Sequence, residues 1–194
     1  PIKDAAIEAI NTKSMKYSHN TGLFELRETI SQYYREVHGA EYDPDGEVLV
    51  TVGGSEGIDG MLRGGRWGAA YARWASGLEG APSRLPVPWN GDFSRPPSST
   101  GFDWRVRRTP GVLFDRIALE EGGHAARLRF LGRPVAAPGL EVPLLLGPGE
   151  HVLRLRARAP GLRSDQGLEW TLTCSDGRTR LARGARMRAG RDWV

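Results

Sequence analysis

Apolar residues recur at helical spacing in two stretches near the start of the chain. Ile2, Ala5, Ala6 and Ile10 fall on one face, which predicts a short helix over Ile2–Ile10. Leu26, Ile30, Tyr33, Tyr34 and Val37 share a face over about Leu23–Val37, and His38-Gly39 supplies a stop. Asn20 or Thr21, in the polar run Tyr17–Gly22, is placed to cap this second helix, with Glu25 near capping-box distance. Asp43-Pro44-Asp45-Gly46 reads as a turn. Val48–Val52 reads as a short buried strand, followed by Gly53-Gly54-Ser55-Glu56 and the opening of a third helix. Trp67, Ala70, Tyr71, Trp74 and Leu78 share one more helical face, expected to be core rather than a binding surface. Gly80–Pro88 is rich in proline and glycine and reads as a linker.

Beyond this linker the period changes from helical to alternating. Val87–Phe93, Phe102–Arg107, Val112–Leu119, Ala125–Leu131, Leu140–Leu146, His151–Ala159, Leu168–Cys174 and Thr179–Arg183 are candidate strands. Turn residues separate them at Glu121-Gly122-Gly123, Pro138-Gly139, Gly147-Pro148-Gly149 and Ser175-Asp176-Gly177. The period is plainest in His151–Ala159, where Leu153 and Leu155 alternate with Arg154, Arg156 and Arg158. About eight short strands with alternating faces predict an antiparallel β-sandwich. Cys174, at the end of one of them, is expected to be a small buried residue.

Composition divides the chain near residues 60–65. Lys3, Lys13 and Lys16 are its lysines, and the remaining 178 residues carry none. Arginine is reversed, with two in residues 1–60 and 22 in 61–194, and all six tryptophans follow residue 60. Residues 1–60 hold 5 basic and 11 acidic side chains, a net −6; residues 61–194 hold 22 and 12, a net +10. The pI near 9.6 therefore belongs to the second part. Its arginines are dispersed along alternating segments rather than clustered, which argues against nucleic-acid binding. One cysteine excludes an internal disulfide, and no His/Cys cluster predicts a metal site. No signal peptide is visible, and apolar runs such as Val142–Leu146 are far too short to span a bilayer. A start at Pro1 leads us to expect a fragment or processed product.

The chemistry of the first part lies in its strand–Gly-Gly-Ser–helix arrangement. Backbone N–H groups at a helix start point outward, the helix dipole favours negative charge, and glycine lets an anion approach closely.

Tyr17-Ser18-His19-Asn20-Thr21-Gly22-Leu23-Phe24-Glu25-Leu26-Arg27, followed by Glu47–Asp59 with its Val52-Gly53-Gly54-Ser55-Glu56, resembles class I/II aminotransferases of the fold-type-I, pyridoxal-phosphate-dependent group. The resemblance covers about 60 residues and fades by about Arg63. It implies an α/β fragment in residues 1–63, with Gly54, Ser55 and Glu56 holding the cofactor phosphate and Tyr17 reaching the phosphate of a partner subunit. It also implies a cytoplasmic setting. Such enzymes need a downstream lysine for the Schiff base, and this chain has none after Lys16. Lys3, Lys13 and Lys16 read as solvated charges. The chain is therefore expected to carry no cofactor, although the family it resembles uses pyridoxal phosphate, and not to transaminate.

Trp89-Asn90-Gly91-Asp92-Phe93, Gly101-Phe102-Asp103-Trp104-Arg105, Pro148–His151 and Ser164–Trp170 resemble the carbohydrate-binding-like jelly-roll domain at the C-terminus of some bacterial tetratricopeptide proteins. Trp104 and Trp170, with Asn90, Asp103 and Gln166, would then form a sugar platform of stacking rings and hydrogen-bonding groups. The alternative is that the tryptophans fill the core. The chain as a whole is expected to be a composite: residues 1–63 an aminotransferase N-terminal fragment, 64–86 a helix and linker, and 87–194 a β-sandwich truncated before its last strand. Its expected role is non-catalytic binding of a glycan or protein partner, with a partial pyridoxal-phosphate aminotransferase as the alternative.

Overall fold

The computed structural model describes residues 1–12, 19–78, 80 and 85–190. The chain forms two compact units, Pro1–Gly60 and Met61–Val194.

In the first unit, α1 (Ile2–Thr12) and α2 (Phe24–His38) form where the apolar period places them. Helix α2 ends at Gly39, whose φ of 65° lets its N–H reach the Arg35 carbonyl while Ala40 N–H reaches that of Tyr34. Its start differs from the expected capping. Leu23 is the N-cap and offers no side-chain bond. Thr21 is drawn away by its neighbour, its hydroxyl lying 2.8 Å from His19 Nδ1. Gly22, at φ 92°, turns the chain between Thr21 and the helix.

The face of α2 that is buried is not its apolar one. Arg27 and Ser31 are buried, whereas Leu26, Tyr33, Tyr34 and Val37 are exposed. Arg27 Nη1 donates to the carbonyl of Pro44 at 2.7 Å and to Asp45 Oδ1 at 3.3 Å, which fastens the 43–46 turn to the helix. Asp43 closes that turn, its carboxylate accepting from the N–H groups of Asp45 and Gly46.

Val48–Val52 is not a strand. Among the described residues one backbone bond holds it, from Val50 N–H to the Thr21 carbonyl at 3.0 Å, and Val52 is 99% exposed. A strand rich in valine needs neighbouring strands to satisfy its backbone and cover its faces. No other strand is described in Pro1–Gly60. Helix α3 (Gly54–Arg63) follows and buries Ile58.

In the second unit, α4 (Trp67–Ala75) buries Ala70 and Trp74. Trp74 meets Phe102 at 5.5 Å between ring centroids and Trp89 at 5.9 Å, and Tyr71 meets Phe102 edge-on at 5.0 Å. These aromatic contacts make the small core expected of this helix. Gly101, at φ 56°, lies directly against the Trp74 ring, where any Cβ would collide.

Three two-stranded antiparallel sheets follow: β1 (Arg105–Val106) with β4 (Leu140–Glu141), β2 (Val112–Ala118) with β3 (His124–Phe130), and β5 (Thr171–Thr173) with β6 (Arg180–Arg183). The β2–β3 hairpin is in full register, from Val112 opposite Phe130 to Ala118 opposite His124. No pairing joins these sheets into a sandwich among the described residues. Several expected strands are absent for visible reasons. Val87–Phe93 folds into turns in which Asn90 and Phe93 have left-handed φ of 53° and 52°. Pro143 lacks the N–H that would extend β4. Among the described residues the strand pairing of His151–Ala159 is a single bridge from Ala159 to Gly190. Cys174 lies just past β5 in the turn and is exposed, not buried.

The packing is sparse. The accessible surface is 15164 Å². Two separate compact units of this length would expose roughly 10,800 Å² together. The buried apolar side chains among the described residues are Ile58, Ala70, Trp74, Phe102 and Trp104.

Candidate functional site

Gly53 and Gly54 sit at the start of α3 with open space where a Cβ would stand. The N–H groups of Gly54, Ser55 and Glu56 belong to the first helical turn, which has no carbonyls of its own helix to meet them. All three residues are exposed. The segment leading in is held by two short-range bonds. Thr51 Oγ1 donates to the Gly53 carbonyl at 3.0 Å, and Val52 N–H donates to Glu56 Oε2 at 2.9 Å. Glu56 thus folds its carboxylate back over the turn, satisfying a donor that a neighbouring strand would otherwise take. The result is an accessible row of amides at the positive end of a ten-residue helix. Its one adverse feature is the negative charge of Glu56. Tyr17, expected to reach a phosphate, lies outside the described residues, as do Lys13 and Lys16. Lys3 is exposed on α1.

The second group of expected site residues is placed differently. Asn90, Asp103 and Trp104 are 5%, 5% and 6% exposed. Asn90 Nδ2 donates to the Arg95 carbonyl at 2.9 Å and to Asp103 Oδ1 at 3.3 Å, while its Oδ1 accepts from Arg95 N–H at 3.0 Å. Asp103 accepts from Ser98 N–H at 2.8 Å and from Trp104 N–H at 2.7 Å. The Trp104 indole N–H donates to the Asn90 carbonyl at 3.0 Å, and its ring stacks on Phe93 at 4.9 Å. Trp170 closes the other side at 5.9 Å and is half-buried, whereas Gln166 is exposed. The polar atoms of Asn90 and Asp103 are thus taken up by the backbone of residues 90–104, and Trp104 offers no ring face to solvent. These residues tie a loop; they do not line a cavity. The shallow apolar cleft of the second unit lies elsewhere, among Tyr71, Trp74, Pro88, Trp89, Phe102 and Leu144.

Sequence reasoning missed the buried Arg27 and the carboxylate Asp115. Asp115 accepts from Arg127 Nη2 at 3.1 Å and Arg129 Nε at 2.9 Å across the β2–β3 hairpin. The hydrogen bond from Arg127, and then that from Arg129, hold its carboxyl below the usual carboxylate range. The clue was available, since Asp115 falls opposite the Arg127-Leu128-Arg129 run when the two seven-residue strands are set in register. Among the described residues no group of His, Cys, Asp and Glu is placed to hold a metal ion, and no helix is long and apolar enough to cross a membrane.

Comparison with known proteins bears on a part of the chain. A protein of Bacillus subtilis (strain 168) named as an aminotransferase is 37% identical over 62 residues, 32% of this chain and 16% of its own length. The LL-diaminopimelate aminotransferase of Halothermothrix orenii is 40% identical over 58 residues, 29% of this chain and 15% of its own length. The bifunctional aspartate aminotransferase and glutamate/aspartate-prephenate aminotransferase of Petunia hybrida is 31% identical over 104 residues, 48% of this chain and 22% of its own length. At nearly half of 194 residues, that last match takes in positions beyond residue 63. The chain thus contains an aminotransferase-like segment, and it spans about one sixth of the first relatives it matches. No protein-family model and no solved structure matches it.

Proposed function

We propose that the aminotransferase-like segment includes residues 1–63, that its Gly53–Glu56 turn binds the phosphate of a pyridoxal-phosphate-type ligand, and that the 194-residue chain does not itself transaminate. The observation that carries this reading is the exposed row of amides at Gly54, Ser55 and Glu56, on a helix start whose glycines leave the approach open. The similarity to aminotransferases supports it independently.

The fit to the cofactor is divided. Its phosphate end suits the turn, where three amides and the exposed Ser55 hydroxyl supply donors without a steric barrier. Its aldehyde end does not find what it needs. When bound in an aminotransferase the cofactor supplies an electron sink, and a lysine amine must hold it. No lysine follows Lys16. What this chain's residues can do is bind and orient a phosphate monoester.

An assay for glutamate formation from 2-oxoglutarate and an amino-acid donor, with pyridoxal phosphate added, tests the enzymatic half. The expected result is a rate equal to that of the free cofactor. Turnover above it would overturn the reading. The glycan-binding reading of residues 87–194 finds less support, because Asn90, Asp103 and Trp104 are spent inside the fold.

A further inference from the structure

The segment His151–Leu155 lies outside every helix and strand, and its five residues are all exposed. Val152 is 79% exposed, Leu153 58% and Leu155 43%. Among the described residues its backbone N–H and C=O groups have no backbone hydrogen-bond partner; the His151 ring, at 2.8 Å from the Gly147 carbonyl, makes the local contact. No turn or bend interrupts residues 151–158, and none of residues 150–160 has a positive φ. Four residues further on, the same stretch is already antiparallel to the chain at Ala159, opposite Gly190. Leu153, Leu155, Ala157 and Ala159 alternate with Val152, Arg154, Arg156 and Arg158. Residues 151–164 carry four arginines and no acidic residue.

An exposed row of unpaired backbone groups on an apolar, alternating segment is a template for another strand. Charge decides which strand. A second copy of the same edge gives Arg154 no carboxylate, since parallel pairing sets it opposite Arg154 and antiparallel pairing about Leu153 sets it opposite Val152. We propose that His151–Leu155 is a strand-addition site for an acidic extended peptide, whose backbone pairs with residues 151–155 and whose carboxylates face Arg154. Apolar residues of the same peptide cover Leu153 and Leu155. The main-chain bonds supply affinity, and the charge supplies the choice of partner.

The full chain tests this by fluorescence anisotropy with three labelled peptides: one alternating Glu and Val, one alternating Lys and Val, and the Glu/Val peptide N-methylated at every peptide nitrogen, which keeps its charge and cannot donate main-chain bonds. The Glu/Val peptide is expected to bind at least tenfold more tightly than either of the others. Arg154→Glu should abolish that preference or reverse it. Leu153→Pro, at an exposed position, should weaken the Glu/Val peptide tenfold while leaving the circular dichroism of the chain unchanged. Equal binding of the Glu/Val peptide and its N-methylated form would mean charge attraction without strand addition and would overturn the proposal. So would equal binding of the Glu/Val and Lys/Val peptides, or binding of none.

Discussion

The indole N–H of Trp104 donates to the backbone carbonyl of Asn90, fourteen residues earlier, at 3.0 Å. This bond closes the loop that Asn90, Arg95, Ser98 and Asp103 stitch from within, and it places Trp104 between Phe93 and Trp170. Trp104→Phe keeps most of the ring packing but loses the bond, at a cost of about 1 kcal/mol. Trp104→Ala empties the site as well, at about 3–5 kcal/mol. Urea unfolding followed by far-ultraviolet circular dichroism should rank the two in that order. Equal, negligible effects would show that the loop is not a stabilising unit.

Gly22 is a backbone requirement of the first unit. Its φ is 92°, and an added Cβ would lie 2.6 Å from the Cβ of Val50. Gly22→Ala therefore incurs left-handed strain and overpacking together, of about 2–4 kcal/mol. Because Val50 N–H bonds the Thr21 carbonyl beside it, amide exchange at Val50 should accelerate in this variant more than exchange in the β2–β3 hairpin.

Glu56 opposes the anion site it adjoins. Its carboxylate accepts from Val52 N–H at 2.9 Å. Glu56→Gln keeps an oxygen for that bond and removes a negative charge from the helix start. Inorganic phosphate should then bind about threefold to tenfold more tightly, with the gain shrinking as salt is raised. Calorimetric titration at two ionic strengths measures both effects.

The β2–β3 hairpin should weaken in acid. The Arg127 and Arg129 bonds hold the Asp115 carboxyl below its ordinary value, and in the turn after β5 the Thr179 hydroxyl and the Thr179 and Arg178 amides do the same for Asp176. A depressed native pKa means that the unfolded chain takes up the proton first. The stability contributed is therefore complete above the ordinary carboxylate value of about 3.9, and it is lost as pH falls through the lower native values. Asp115→Asn should flatten this acid dependence and change little at pH 7 in high salt. Unfolding midpoints from pH 7 down to pH 2.5 check it.

How far the sequence disclosed this molecule depends on whether a segment's partners lie near it. Helices α1, α2 and α4 satisfy their own backbones, so the apolar period sufficed to find them. The β2–β3 hairpin was legible because only five residues, Leu119–Gly123, join its strands, with Leu119 N–H bonding the Gly123 carbonyl. Val48–Val52 and His151–Leu155 carry strand patterns as clear as any, yet neither forms a strand. A strand pattern records what a segment would do with neighbours; it does not supply them. The anion site was legible because glycine, serine and a helix start are local features. The fate of Asn90, Asp103 and Trp104 was not, because polar and aromatic residues near a turn serve equally well as a ligand platform or as an internal knot. Three-dimensional pairing over 13 residues, from Asn90 to Asp103, decided it.

The central claim is that Gly53–Glu56 retains the phosphate-binding half of an aminotransferase site in a chain without its lysine. Titrating the ¹⁵N-labelled full chain separately with inorganic phosphate, pyridoxal phosphate and pyridoxal tests it most directly. The account predicts that the amide signals of Gly54, Ser55 and Glu56 move with both phosphate-bearing ligands and stay in place with pyridoxal. Unmoved signals with phosphate and pyridoxal phosphate, or equal movement with pyridoxal, would contradict it.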